Sequence, residues 1–251
     1  MTYDPIELTK AVNKVVSRGI QRKYFRFRGG RWYGGIATAD CVGCNLRCVF
    51  CWGWYARDRA NSIGKFYNPN EVYDRLISIA KRRRYRQVRL SGGEPTLNRE
   101  HLVKLLELVS QTPFIFILET NGILIGWDKS YARDLAKFPN LHVRVSIKGT
   151  NPKEFSRLTG ANPDAFYLQL KALENLLDEG VSVHPAVMLS FSDEKSYKNL
   201  ISMLREIDRS LAEDVEEEYV FLYPHVVKKL REAKIWPRIA YTPNNIPEEL
   251  I

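Results

Sequence analysis

Cysteines and long apolar runs are scarce in this sequence. Its 251 residues include only four cysteines, all between positions 41 and 51, so no thiol remains for a disulfide framework or a second iron–sulfur site elsewhere. No apolar run approaches the roughly 18 residues that a bilayer span needs. The first residues also lack the basic flank and apolar stretch of a signal peptide. We therefore expect a cytoplasmic protein with no membrane segment.

Composition and length are those of an ordinary globular protein. Hydrophobic residues make up 45% and charged residues 27% of the chain, and 251 residues can bury a large core without a second domain. The net charge of +9, from 38 basic and 29 acidic residues, indicates only a mild attraction to acidic partners. We expect a monomer.

The charges are unevenly distributed. Basic residues concentrate in segments 18–33 and 81–89, and aromatic residues alternate with them in the first segment. Basic and aromatic residues together suit RNA or single-stranded nucleic acid. The other interpretation is a solvated helix end and a strand with snorkelling side chains. The acidic run 212–218 is predicted to be a solvated loop.

Strand and helix patterns alternate about six times, which predicts parallel strands joined by crossover helices. The fold class is therefore α/β, as a partial (β/α)6 TIM-type barrel with outer helices. We expect one domain over 1–251, with an N-terminal extension (1–34), the partial barrel (35–224), and a C-terminal helix and tail (225–251). Strands are predicted at 35–40, 87–90, 114–118, 141–147, 181–189 and 219–223, and helices at 6–17, 69–83, 101–109, 129–136, 164–179, 193–211 and 226–233.

The four cysteines form the run Cys41-x2-Cys44-x3-Cys48-x2-Cys51. Thiolates this close can converge on one metal centre, and a catalytic centre must keep one position free of protein ligands. A compressed zinc knuckle and a disulfide are the alternatives, although zinc sites usually separate their two pairs more widely. Cys41 is predicted to be a buried residue ending a strand, with a fourth-ligand or redox role as the alternative.

The spacing Cys44-x3-Cys48-x2-Cys51, with Phe50 before the last cysteine, resembles the signature of the radical S-adenosylmethionine (radical SAM) enzymes. The resemblance implies that Cys44, Cys48 and Cys51 bind a [4Fe-4S] cluster whose open iron takes S-adenosylmethionine (SAM). It also implies that Phe50 packs near the SAM adenine. Reductive cleavage of SAM would then give a 5′-deoxyadenosyl radical that takes hydrogen from a substrate.

Three further motifs follow the next predicted strands, at the edge where α/β proteins place their chemistry. Two glycines in the first of them let backbone approach a ligand closely. The resemblance implies that Gly92, Gly93 and Glu94 bind the SAM amine. The motifs are Ser91-Gly92-Gly93-Glu94-Pro95, Glu119-Thr120-Asn121-Gly122 and Ser146-Ile147-Lys148.

The last two motifs look like those of the glycyl-radical-enzyme activase branch, the relatives of pyruvate formate-lyase activating enzyme. This likeness implies that Asn121, Ser146 and Lys148 approach the SAM carboxylate and ribose. Ser146 departs from the branch because it lacks a carboxylate, and the residues after Cys51 depart from it as well. His225 is a weaker candidate in a loosely similar stretch.

The alternation of side chains along the strands gives one more expectation, which does not depend on the family resemblance. Positions 143, 145 and 147 are apolar and should face the helices, which turns His142, Arg144 and Ser146 toward the lumen. His184 should point the same way from the next strand. We expect Arg144 and His184 to contact an anionic substrate. The alternative is that such lumen cations, with Arg89 and His142 foremost, are paired within the protein.

These observations predict a radical SAM enzyme that needs a low-potential electron donor. A protein or peptide substrate is favoured by the activase likeness, and an RNA substrate by the basic and aromatic segment. A metal-stabilised nucleic-acid-binding module is the alternative from another class.

Overall fold

The structure is a computed structural model that describes residues 2–250, for Glu249 the backbone alone; the two ends of the predicted domain, residues 1 and 251, lie outside it. Within this range, no helix is both long and apolar enough to cross a bilayer. The strands are β1 Ser17–Arg18, β2 Gln21–Gly30, β3 Ile36–Cys41, β4 Lys65–Tyr67, β5 Gln87–Gly92, β6 Ile115–Thr120, β7 Leu141–Ile147, β8 Ser182–Met188, β9 Glu216–Glu218, β10 Val220–Phe221 and β11 Ala240–Tyr241. The helices are α1 Pro5–Val16, α2 Trp54–Asp58, α3 Pro69–Arg83, α4 Arg99–Ser110, α5 Ile123–Trp127, α6 Lys129–Leu135, α7 Pro152–Thr159, α8 Ala165–Asp178, α9 Glu194–Ile207, α10 Arg209–Glu213 and α11 Pro224–Glu232.

One large sheet organises the fold, in the order β1-β2-β3-β5-β6-β7-β8-β9 with β4 beside β2. From β3 to β9 every neighbouring pair is parallel, whereas β1, β2 and β4 pair antiparallel. The predicted α/β class with parallel strands is confirmed. The sheet stays open between its β1 and β9 edges and does not close into a barrel.

Two sequence interpretations need correction near the edges of this sheet. The predicted strand 219–223 contains β10, but β10 pairs with β11 in a separate two-stranded sheet. The last strand of the large sheet is instead β9, which lies inside the acidic run that was expected to be a solvated loop. Pairing with β8 decides this, because a three-residue strand gains its order from a neighbour and not from its own sequence. The segment 21–30, part of the predicted extension, joins the sheet as β2.

The helices cover the apolar face of the sheet, as strand alternation predicted. Val143, Val145 and Ile147 on β7 have no solvent-exposed surface, and Phe116 and Leu118 on β6 are buried in the same core. The opposite face carries Arg89, Arg144 and other polar side chains. The hydrophobic driving force thus fixes which strand positions face the lumen.

Gly126 in α5 marks a point where two helices pack backbone against backbone. A Cβ at this position would lie 1.9 Å from the carbonyl oxygen of Leu168 in α8. Alanine in a helix normally stabilises it relative to glycine, by about 0.5–1 kcal/mol. Here we expect Gly126→Ala to lower the free energy of unfolding by about 1–3 kcal/mol, because overpacking must push the helices apart.

Urea denaturation followed by circular dichroism measures this change. Lys171→Ala, at an exposed position of α8, is the control and should change the free energy of unfolding by less than about 0.5 kcal/mol. A Gly126→Ala variant as stable as the unmodified protein would show that α5 and α8 are not in close contact.

Candidate active site

The carboxyl ends of the parallel strands border a cavity of about 540 Å³, within the range of small-molecule sites. Nearly all of the predicted site residues reach it. His184 and Cys41 do not line it. Those that do are Cys44, Cys48, Phe50, Cys51, Gly92, Gly93, Glu94, Asn121, Arg144, Ser146, Lys148 and His225.

The loop after β3 presents three thiols to the cavity. Burial is the main cause that raises the pKa of Cys44 to about 12 and that of Cys48 to about 11. The backbone N–H of Leu46 donates to Cys44 Sγ at 3.4 Å, and the Asn121 amide donates to the same sulfur at 3.7 Å. Polar donors of this kind stabilise metal-bound thiolates. The loop therefore fits a cluster held by three cysteines.

Among residues 2–250, the Glu249 side chain excepted, no group of three His, Cys, Asp or Glu side chains forms a ready-made site for a single metal ion. The zinc alternative from the sequence therefore depends on the cysteine spacing alone, which is tighter than zinc sites usually show.

Cys41 lies apart from the other three cysteines. It is the last residue of β3, has no exposed surface and packs in the main core. Burial raises the pKa of its thiol to about 12. This position agrees with the predicted role of a small buried residue, and it separates Cys41 from the cavity.

Arg57 was not singled out from the sequence, yet it supports the cysteine loop. It lies in the short helix α2, donates to the carbonyl oxygen of Cys48 at 2.8 Å and pairs with Asp58 at 2.7 Å. Only 8% of its side chain is exposed. A buried arginine near thiols is a signal that sequence alone cannot give, because nothing in the run after Cys51 indicates which side chains turn inward.

The two glycines at the end of β5 allow its backbone to lie directly against the backbone of the cysteine loop. A Cβ on Gly93 would lie 2.1 Å from the carbonyl oxygen of Gly43 in the cysteine loop. Gly93 N–H donates to Cys41 O, and Glu94 N–H donates to Gly43 O, each at 2.8 Å. Gly92 adopts φ +90°, a conformation that favours glycine. The motif thus fixes the cysteine loop to the sheet, in addition to any ligand contact.

Glu94 organises the ends of β5 and β6. Its carboxylate is buried and accepts hydrogen bonds from the backbone N–H groups of Thr96 and Asn121 at 3.1 and 2.8 Å. It also accepts from the Thr96 and Thr120 hydroxyls, both at 2.7 Å. Four protein donors therefore already bind this carboxylate, which leaves limited capacity for the predicted contact with the SAM amine.

Two carboxylates that the sequence analysis placed in a solvated loop lie instead in the cavity. Glu218 accepts from the Ser146 hydroxyl at 2.6 Å, and Lys148 Nζ hydrogen bonds to Ser146 and lies 3.5 Å from Glu218. Burial opposes ionisation, but Lys148 and Arg144 lower the pKa of Glu218 below its usual value. Glu218 thus places a carboxylate beside Ser146, the residue that departs from the activase branch because it lacks one.

Arg144 faces the lumen, as expected, but its charge is compensated. Its guanidinium makes a bidentate contact with Glu216 at 2.6 and 2.7 Å and lies 2.9 Å from Glu218. Arg89 pairs with Glu119 through a single hydrogen bond of 2.6 Å. His184 contacts Glu216 at 3.0 Å. The lumen therefore matches the alternative of cations paired within the protein, and contact with an anionic substrate stays a prediction.

The basic and aromatic segment is built into the sheet. Arg22, Lys23 and Tyr24 are buried, and the guanidinium groups of Arg26 and Arg28 contact the buried carboxylate of Asp40 at 2.6 and 2.9 Å. Arg18 and Arg31, at the ends of the segment, are exposed. This arrangement agrees with the interpretation of a strand with snorkelling side chains.

A family model described as "Radical SAM superfamily" matches residues 40–204, about two thirds of the chain. The chain belongs to the radical SAM superfamily. It is therefore a radical SAM enzyme, and its cofactors are a [4Fe-4S] cluster and SAM. This result removes the alternative of a non-enzymatic metal-stabilised module.

Relatives of known description are named GTP 3′,8-cyclase. "Probable GTP 3',8-cyclase" from Thermococcus kodakarensis is 30% identical over 68% of this chain and 52% of the relative. "GTP 3',8-cyclase" from Aeromonas hydrophila is 32% identical over 64% of this chain and 44% of the relative. The chain spans about half the length of the curated relatives it matches. None of these names refers to the activase branch.

Solved structures share the fold at low sequence identity. A spore photoproduct lyase mutant with bound AdoMet and dinucleoside spore photoproduct has a TM-score of 0.61 at 14% identity, over 89% of this chain and 66% of that one. Streptococcus suis SuiB bound to the precursor peptide SuiA has a TM-score of 0.56 at 22% identity, over 68% of this chain and 36% of that one. These matches show a common α/β architecture.

Alanine substitutions of the cysteines separate the two classes of thiol. We expect Cys44→Ala, Cys48→Ala and Cys51→Ala each to abolish the iron content and the absorbance near 400 nm after anaerobic reconstitution, since each removes a ligand. Cys41→Ala is the matched control and should retain iron, with a loss of stability of about 1 kcal/mol. Iron loss in Cys41→Ala equal to that in Cys48→Ala would make Cys41 a ligand.

Proposed function

We propose that this enzyme forms a 5′-deoxyadenosyl radical from SAM and uses it on a small polar molecule held in the lumen. The cavity volume of about 540 Å³ carries this proposal. SAM must occupy part of that space, so the remainder suits a small molecule better than a folded protein segment. The names of the GTP 3′,8-cyclases support a small-molecule substrate as well. The expected protein or peptide substrate therefore gives way to this class.

Nucleotides are the first class to test within this proposal. Arg26 and Arg28 share the single carboxylate of Asp40, so two guanidinium charges face one negative charge at the cavity wall. A phosphate group could interact with the charge that Asp40 does not balance. The other lumen cations, Arg89, Arg144 and Lys148, already have carboxylate partners.

The chain's own residues have distinct roles in this proposal. Cys44, Cys48 and Cys51 would hold the cluster, which when bound would supply the electron for the reductive cleavage of SAM. Gly92 and Gly93 offer backbone carbonyls to the SAM amine, while Asn121 and Lys148 border the space for its carboxylate and ribose. Phe50 contributes apolar surface to the cavity wall. The centroid of its ring lies 5.6 Å from that of Phe191. A low-potential electron donor must come from outside the chain.

The open sheet has the role of enclosing the reacting groups in this proposal. The strands from β3 to β9 would act as a partial (β/α)6 barrel over 35–224, with 1–251 as one domain. The lumen then excludes water from the reacting groups along most of its circumference. The RNA-modifying alternative is less well supported, because Arg22 and Lys23 of the segment that motivated it are buried, and Arg26 and Arg28 are paired with Asp40.

An anaerobic assay with dithionite and SAM tests the radical step. We expect 5′-deoxyadenosine from the reconstituted enzyme and none from Cys48→Ala, because the cluster cannot form without that thiolate. GTP, a synthetic peptide and bulk RNA are then added in separate reactions. We expect only GTP to increase the yield of 5′-deoxyadenosine and to be consumed.

The controls for this assay are Cys41→Ala, which should retain 5′-deoxyadenosine formation, and omission of dithionite. Consumption of the peptide or the RNA with GTP left intact would contradict the small-molecule proposal. Absence of 5′-deoxyadenosine from a protein with full iron content would contradict the radical step itself.

A further inference from the structure

A hydrogen-bonded chain of side chains joins the lumen to the surface at the end of the sheet opposite the cysteine loop. Glu216 Oε2 is 3.0 Å from His184 Nε2, and His184 Nδ1 is 2.6 Å from His142 Nε2. His142 Nδ1 is 2.7 Å from the hydroxyl of Ser182, an exposed residue at the start of β8. The two imidazole rings are near-parallel, with centroids 4.8 Å apart.

The pairing register of the strands places these hydrogen-bonded side chains next to one another. His142 lies opposite Ser182, and Arg144 lies opposite His184, in the parallel pairing of β7 with β8. Alternation turns all four side chains to the lumen face. Glu216 on β9 completes the line and borders the cavity, together with Tyr33, whose hydroxyl lies 3.4 Å from Glu216 Oε2.

The hydrogen bonds that link Ser182, His142, His184 and Glu216 can all be satisfied in only one direction. Burial opposes ionisation of Glu216, but hydrogen bonds from Arg144 and His184 lower its pKa far below the usual value, so in the resting enzyme this carboxylate is ionised and accepts hydrogen bonds. His184 must then carry its proton on Nε2, and its Nδ1 accepts from His142 Nε2–H. His142 Nδ1 in turn accepts from the Ser182 hydroxyl. Every donor points toward Glu216.

We propose that Ser182, His142, His184 and Glu216 form a proton relay that supplies protons to the substrate side of the lumen. This relay rests on the proposed function, since it assumes a substrate that gains a proton during turnover. In the free enzyme Glu216 borders an open cavity. Once SAM and substrate fill the cavity, the exposed end at Ser182 remains in contact with water.

The proton transfer balances without another reactant. His184 Nε2 gives its proton to the Glu216 carboxylate in the same step in which His184 Nδ1 is reprotonated, so no imidazolate forms. The Glu216 carboxyl group is protonated only transiently, passes the proton to the substrate and becomes ionised again. His142 Nε2 gives its proton to His184 Nδ1, and solvent replaces it at His142 Nδ1 through the Ser182 hydroxyl. Both imidazoles end as Nδ1–H tautomers. After product release they return to the starting state when water in the open cavity protonates His184 Nε2 through Glu216, His184 Nδ1 returns its proton to His142 Nε2, and the His142 Nδ1 proton leaves to water through Ser182.

The groups that face the relay favour a neutral imidazole at His142 in the resting enzyme. Burial is the main cause that lowers the pKa of His142, and the neighbouring His184 lowers it further. Asp214 and Glu216 act in the opposite direction on His142. Arg144 and Glu218 lie beyond Glu216 and compensate each other. A neutral imidazole is what a relay needs, because it can accept at one nitrogen and donate at the other.

Nitrogen-15 NMR of the holoenzyme labelled at histidine tests the tautomers without any substrate. The chain has only four histidines, and two are internal references: His101 Nδ1 is 2.8 Å from Ile20 O, and His225 Nε2 is 2.8 Å from Trp52 O. The references should therefore be Nδ1–H and Nε2–H respectively. We expect His142 and His184 both as Nε2–H tautomers. An Nδ1–H tautomer at either position would overturn the relay.

Turnover of the substrate identified by the anaerobic assay tests the use of the relay. We expect His142→Gln, which keeps a donor but cannot pass a proton on, to lower substrate conversion at least about tenfold. Added imidazole should restore part of it, and the iron content should not change. Val183→Ala, on the opposite face of β8 between the two relay positions, is the control.

The two proposals fail in different ways. If the unmodified enzyme converts no substrate, the proposed function fails, and the tautomers alone decide the relay. If the unmodified enzyme converts its substrate and His142→Gln converts it equally fast, the relay is overturned while the proposed function stands. Loss of conversion that imidazole does not restore would also overturn the relay, because a positioning defect explains it.

Discussion

The close contact between the cysteine loop and the end of β5 is the constraint on which the active site depends. Gly93 N–H and Glu94 N–H each donate to a carbonyl of that loop at 2.8 Å, and no side chain could fit at Gly93. The three thiols therefore lie at a fixed distance from the strand ends that border the cavity. Because backbone forms this contact, the geometry tolerates little variation at the two glycines and much more at the residues around them.

Glu94 extends the same constraint from β5 to β6. Its carboxylate binds two backbone N–H groups and two hydroxyls from segments that follow different strands. A buried carboxylate without such partners would be costly, and this one has four donors. The loop that carries Asn121 is thus held beside Cys44. The glycine and glutamate of one short motif together bring the thiols and the third strand end into a single site.

The sequence is sufficient to predict the elements whose signal is local. The cysteine spacing, the glycines after β5 and the lumen orientation of Arg144 each follow from a few adjacent residues or from alternation. The positions of Glu216 and Glu218 do not, because an acidic run looks the same in a solvated loop and in an edge strand until its partners are known. Arg57 and the pairing of His142 with His184 also depend on contacts between distant segments. Long-range pairing, not local propensity, determined these cases.

The charges of the lumen and the last strand of the sheet depend on each other. Three consecutive glutamates have low strand propensity, and two of them point into a buried space. The strand is stable there because Arg144, Lys148 and His184 face those carboxylates from β7 and β8. Conversely, Arg144 is buried and would be an uncompensated charge without β9, at a cost of several kcal/mol. Electrostatic pairing therefore orders this edge strand, which is too short to be ordered by apolar packing, and the same pairing fixes the direction in which Glu216 and His184 hydrogen bond.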